Sequence, residues 1–188
     1  MIIMKIKRLL STFLSRIRGE QSIDKLIKRG LTVGKNLKIM GGCIIDPSHC
    51  WHITIGNDVI LAPRVHILAH DASTKLFLDH TKVANVKIGN RVFIGAGSIV
   101  LPGVTIGDDV VIGAGSIVSK NIASNSVAVG NPAKVICNLE EYLQKQKDQI
   151  TEQNVFSEEF TLRNPLFSEE QRQEMKLVCE KNGKIFVK

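Results

Sequence analysis

A chain of 188 residues with 44% hydrophobic content holds enough apolar material for one domain with a core, and no run reaches the ~18 consecutive apolar residues of a membrane span. The net charge of +7 favours an anionic partner: nucleic acid, a membrane surface or a phosphorylated small molecule. With one Trp, one Tyr and no nucleic-acid motif, nucleic acid ranks last. The scattered Cys43, Cys50, Cys137 and Cys179 read as reduced thiols of a cytoplasmic protein.

Residues 1–30 form a basic segment. Lys5, Lys7, Arg8, Arg16, Arg18, Lys25, Lys28 and Arg29 face only Glu20 and Asp24, with Ile, Leu, Met and Phe at helical spacing between them. This predicts an amphipathic helix or pair of helices, fit to cap a fold or to lie on the anionic inner face of a membrane. Charge interrupts "MIIMKIKRLLSTFL" too early for a secretory signal.

From Leu31 the period changes to six. Ile88, Ile94, Val100, Ile106, Ile112 and Val118 recur at that interval, with turn-forming residues filling most places between, and "IGAGSIV" occurs at Ile94 and again at Ile112. Neither a helix nor an alternating strand has this period. A parallel β-helix does: each rung is one side of a coil, and three sides make the eighteen residues that separate the two copies. The lattice extends back through Val33, Ile39 and Ile45, then Ile55, Leu61 and Ile67, with two defects. Four extra residues around "PSHCWH" form the first, and fifteen form the second, an excursion over 70–85. A long departure from a regular coil is a place to look for function. The β-helix is predicted over 31–136, with Pro132 near its stop. Residues 137–188 read as a helical extension, partly disordered if nothing covers it, in which Ser168 has the place of an N-cap and Gly183 that of a helix stop.

The "IGAGSIV" hexapeptides, the excursion after "VHILAHDAS" and the ending "VAVGNPAKVI" resemble the hexapeptide-repeat acyltransferases, in particular sugar O-acetyltransferases of the galactoside and maltose type and those that act on capsule and O-antigen. The resemblance covers about 31–136. It implies an all-β fold, a left-handed parallel β-helix with helical additions. It also implies a homotrimer with sites between neighbouring chains, acetyl-coenzyme A as co-substrate, a saccharide acceptor and no metal.

A sugar hydroxyl is a poor nucleophile, and a neutral imidazole that takes its proton as the thioester is attacked typically contributes about 10²–10⁴-fold. His70, where the coil breaks, matches the family's catalytic His. Asp71 or a backbone carbonyl is expected to orient its ring. By the same resemblance Ala96 and Ala114 contact the cofactor, Ser119 and Lys120 meet its nucleotide end, and Lys134 stands where an Arg is common. On the acceptor side Asp46 replaces a missing Asn, His80 reaches across the trimer seam, and Phe93 stands where many relatives have Trp. His49 and His52 in "HCWH", with Cys43, Cys50 and Asp46 nearby, lack the ligand spacing of a zinc site, and His66 reads as a strand residue. Three alternatives stay open: an amino-sugar N-acetyltransferase, a metalloprotein like the γ-type carbonic anhydrases on the same fold, and a non-catalytic trimeric scaffold. The absence of any His after His80 counts against the second.

Overall fold

The computed structural model describes residues 22–188. The expected basic helices fall mostly on residues 1–21, outside the described residues. Within the described residues the segment forms α1 (Ile23–Lys28), whose Leu26 is 3% exposed and joins the core, with Ile23 packed against it. Contacts divide the chain into two compact units, the second beginning at Glu140.

The first unit is a three-faced parallel solenoid. One face stacks Thr32–Val33, Ile53–Ile55, Val86–Ile88 and Thr105–Ile106. A second stacks Lys38–Ile39, Ile60–Leu61, Phe93–Ile94, Val110–Ile112 and Ser126–Val129, and the third stacks Ile44–Ile45, His66–Ile67, Ile99–Val100 and Ile117–Val118. The register aligns Val33 with Ile55, Ile88 and Ile106, and Ile39 with Leu61, Ile94 and Ile112. Ile45 aligns likewise with Ile67, Val100 and Val118. These are the six-residue lattice positions. Ile45, Ile55, Leu61, Ile67, Ile94, Ile106 and Ile112 are each less than 2% exposed. Burying one such side chain stabilises the fold by about 1.5–3 kcal/mol.

The residues of "IGAGS" are explained by the narrowness of the coil. A Cβ on Gly95 would lie 2.4 Å from the amide nitrogen of Ala114 on the next coil, too close for any side chain. Gly97 and Gly115 both turn the corner at φ +69°, in the left-handed region. The buried Ser98 and Ser116 hydroxyls donate to the Gly113 carbonyl at 2.9 and 2.7 Å, so the repeated Ser satisfies backbone inside the core.

The last parallel rung is Ser126–Val129. Ser126–Val129 pairs antiparallel with Lys134–Asn138, and this return strand keeps the chain in the first unit through Leu139. The second unit contains two helices, Leu139–Lys147, which begins at its border, and Glu169–Asn182, but it is not wholly helical. Val155–Phe156 and Phe186–Val187 form a small parallel sheet. Ser168 caps the N-terminus of Glu169–Asn182 with a full capping box, and Gly183 ends that helix at φ +75°.

Candidate active site

Both departures from the lattice occur at the corner between the third face and the first. After Ile45 the chain makes a short 3₁₀ turn at Cys50–His52 before Ile53, and after Ile67 it leaves as the excursion before returning at Val86. The excursion is a hairpin. His70–Asp71 pairs antiparallel with Lys82–Val83 at its neck, and a one-turn helix, Lys75–Leu78, forms its tip. His52 Nδ1 lies 2.7 Å from Asn85 Oδ1, which ties the first departure to the base of the second.

These two insertions bring Asp46 against His70. Asp46 is 0% exposed and accepts from every side. Its Oδ1 takes the amides of Ser48 (3.0 Å) and His49 (3.1 Å), and its Oδ2 takes those of Ala69 and His70 (both 3.0 Å) and a hydrogen bond from His70 Nδ1. Burial by itself would raise the carboxyl pKa. The His70 ring and the amides of Ala69, Ser48 and His49 together outweigh it and hold Asp46 below its ordinary range. A carboxylate so fixed keeps the Nδ1 proton facing it, and the electron pair of Nε2 is then free to accept a proton. The His70 side chain is 31% exposed.

Asp46 therefore takes a different part from the acceptor contact expected of it, because full burial leaves none of its oxygens for a sugar. Asp71 does not orient the ring either. It pairs with Lys82 at 2.6 Å and accepts from the Ser73 amide, and the Lys82 hydrogen bond, then that of Ser73, pulls its pKa well down. His80 is exposed near the excursion tip, its ring hydrogen-bonded to the Leu78 carbonyl.

The remaining candidates fall on two different corners, on the second face and on the return strand. Ser119 and Lys120 follow Ile117–Val118, at the corner that Asp46 and His70 occupy on earlier coils. The ladder there runs from Asp46 N to Ile67 O (2.8 Å), Leu68 N to Val100 O (3.0 Å) and Leu101 N to Val118 O (3.0 Å). With coils about 4.8 Å apart, Lys120 stands roughly 10 Å from the His70 coil along the axis. Ala96 and Ala114 are exposed at the corner between the second and third faces, stacked through Gly115 N to Ala96 O at 2.8 Å. Phe93, 41% exposed, lies on the second face. Lys134 is exposed and opens the return strand. Within one chain, then, His70 and Lys120 share a corner, and Phe93, Ala96 and Ala114 do not.

His49, which the sequence reading set aside, is a neighbour of His70, and Trp51, which that reading did not single out, lies beside His49. The His49 ring lies with its centroid 4.8 Å from that of His70, and among the described residues its buried Nδ1 has no hydrogen-bond partner. Trp51, 54% exposed, lies 5.4 Å from His49. For Trp51 only the irregularity of "PSHCWH" gave a signal.

Comparison with known proteins agrees with this architecture. Residues 85–120 match the family described as bacterial transferase hexapeptide (six repeats). Protein CapG of Staphylococcus aureus is 41% identical over 138 residues, which cover 69% of this chain and 78% of CapG. The chain belongs to the hexapeptide-repeat acyltransferase family. As a member it is an acyltransferase, and its solenoid is the left-handed β-helix. A maltose O-acetyltransferase from Clostridium difficile 630 superposes with a TM-score of 0.51 at 31% identity, over 72% of this chain and 88% of that one. A galactoside acetyltransferase in complex with coenzyme A gives a TM-score of 0.52 at 30% identity, over 74% and 84%. The galactoside O-acetyltransferase of Escherichia coli is 42% identical over 87 residues, 45% of this chain and 43% of that relative. Among the described residues no helix is long and apolar enough to cross a membrane.

Proposed function

We propose that this acyltransferase moves the acetyl group of acetyl-coenzyme A to a hydroxyl of a sugar or polysaccharide, with His70 as general base. The observation that carries the reading is the buried Asp46 carboxylate hydrogen-bonded to His70 Nδ1 at the neck of the excursion. The maltose and galactoside specificities of its relatives supply the acceptor class. The coenzyme A bound by one of them supplies the donor.

His70 Nε2 takes the hydroxyl proton as the sugar oxygen attacks the thioester carbonyl. Asp46 holds the ring in the reactive tautomer and stabilises the imidazolium that forms. When the tetrahedral intermediate collapses, the C–S bond breaks and the imidazolium returns its proton to the leaving sulfur. The products are a sugar acetyl ester and free coenzyme A.

Ala96 and Ala114 line a run of small, exposed turns along which the amide-rich pantetheine arm fits. Lys120, with Ser119 and Lys134, offers charge to its phosphates. A homotrimer accounts for the division between corners, since His70 of one chain can then face Phe93, Ala96 and Ala114 of a neighbour. His80 is placed on the acceptor side of that seam, and Asp71 holds the excursion rather than the substrate. The enzyme works in the cytoplasm, where its co-substrate is, and the basic N-terminus suits contact with an anionic inner membrane face.

The test is thiol release from acetyl-coenzyme A across a panel of sugars, amino sugars and oligosaccharides, with light scattering of the same sample. Acceptor-dependent release with O-acetyl product and a trimeric mass supports the reading. Exclusive N-acetylation, no release with any acceptor, or a monomeric mass overturns it.

A further inference from the structure

We infer that Asp46, His49 and His70 form a binding site for a borderline divalent cation, Zn²⁺ above all, whose occupancy silences the catalytic histidine. One ligating atom from each of the three residues lies within 4.8 Å of the other two. They share one backbone framework as well. The His49 amide donates to Asp46 Oδ1, and the His70 amide donates to Asp46 Oδ2, so neither main chain can drift from the carboxylate. Among the described residues His49 Nδ1 is shut off from solvent with no hydrogen-bond partner. A buried nitrogen left so destabilises the fold unless something engages it. In the mechanism above it has no part.

The donor set decides the ligand class. Two imidazole nitrogens and one carboxylate oxygen suit Zn²⁺ and its neighbours, and suit Mg²⁺ or Ca²⁺ poorly. Three protein ligands leave a fourth position for water. Zinc bonds of about 2.0–2.2 Å require His49 to draw in towards the other two and the hydrogen-bonded Asp46 Oδ2 and His70 Nδ1 to part, the ion replacing the proton between them.

Occupancy changes the tautomer of His70. The nitrogen that faces Asp46 is Nδ1, which must surrender its proton to bind the ion. That proton passes to Nε2 of the same ring. The ring stays neutral, but Nε2 becomes a donor and no longer accepts a proton from the hydroxyl. Zinc is here an inhibitor that acts on the base, not a resident cofactor. The loss of turnover rests on His70 being that base; the binding itself does not.

The experiment separates the two. Full-length, chelator-treated protein is titrated with ZnCl₂ by calorimetry, and acetyl transfer is measured across the same concentrations. His49→Phe retains a ring beside His70 without a donor atom, and His80→Asn removes an exposed histidine as a control. One Zn²⁺ per chain is expected, with affinity lowered at least about tenfold in His49→Phe and unchanged in His80→Asn. Each protein's turnover, relative to its own metal-free rate, should fall in step with occupancy, while MgCl₂ does nothing. Equal zinc affinity in wild type and His49→Phe, or no saturable binding up to ~100 μM, overturns the site. Full occupancy with undiminished turnover overturns the silencing while the site stands, and total inactivity of metal-free enzyme on every acceptor tells against the acetyl-transfer reading alone.

Discussion

The coils from Val86 to Val118 and the coils before them have the same cross-section and register, yet they differ in what they carry. The upper coils are uninterrupted, and their buried polar groups, Ser98 and Ser116, are spent on their own backbone. The lower coils are broken twice at one corner, and the breaks supply Asp46, His49 and His70. A regular rung has six residues and every one is committed to strand, turn or core. Extra chain at a corner is free of that commitment, and stacking then places one break above the other.

The largest effect expected from breaking this contrast is at His70. His70→Ala should lower turnover by about 10²–10⁴-fold with coenzyme A affinity nearly intact, because only proton transfer in the transition state is removed. Steady-state kinetics with calorimetry of coenzyme A binding checks the split, and a mutant with wild-type turnover excludes the base.

Asp46→Asn acts on both tautomer and fold. An amide cannot accept from all the donors that converge on Asp46, so turnover should fall about 10-fold or more and stability by about 2–4 kcal/mol. The pH dependence follows from the lowered pKa. The folded state binds the proton less readily than the unfolded chain, so Asp46's contribution is full above its ordinary value of 3.8 and is lost as pH falls below it. Urea unfolding between pH 3 and 7 should show a shallower acid decline in Asp46→Asn. Equal slopes would remove the carboxylate as the cause.

The upper coils should answer differently. Ser116→Ala removes the hydroxyl that donates to the Gly113 carbonyl and accepts from the Gly130 amide at 3.1 Å, and should cost about 1–3 kcal/mol. Its turnover at saturation should stay within a small factor of wild type. Thermal denaturation alongside kinetics tests whether this region serves the fold alone.

Smaller still is Lys120→Ala. One exposed cation near the proposed phosphate end should raise KM for acetyl-coenzyme A by several-fold with kcat unchanged, and the difference should shrink as salt screens it. A KM that ignores both the mutation and salt would detach Lys120 from the donor.

Much of the fold was legible because its rule is local. Each rung repeats the same demands, so Ile88 to Val118 announce coil, face and register without knowledge of any distant contact. The break at His70 was legible for the same reason, as a place where the rule lapses. The partner of His70 was not. Asp46 lies twenty-four residues earlier, and only the stacking of a four-residue insertion under the neck of the excursion brings it there. Read from neighbours in sequence, Asp71 seemed the natural orienter, but it faces away to Lys82. The parallel pairing of Val155–Phe156 with Phe186–Val187 was equally hidden, since two-residue strands thirty residues apart carry no period.

The sequence by itself determined the six-residue period, the three faces and the location of both interruptions, since these follow from which residues fit a narrow stacked coil. Tertiary structure alone decided which side chains those interruptions deliver to one another: that Asp46 is buried against His70, that His49 waits beside them, and that Ala96 and Ala114 stand on another corner. Contacts across a corner depend on how far each inserted segment carries the chain before it rejoins the stack, and no local spacing encodes that distance.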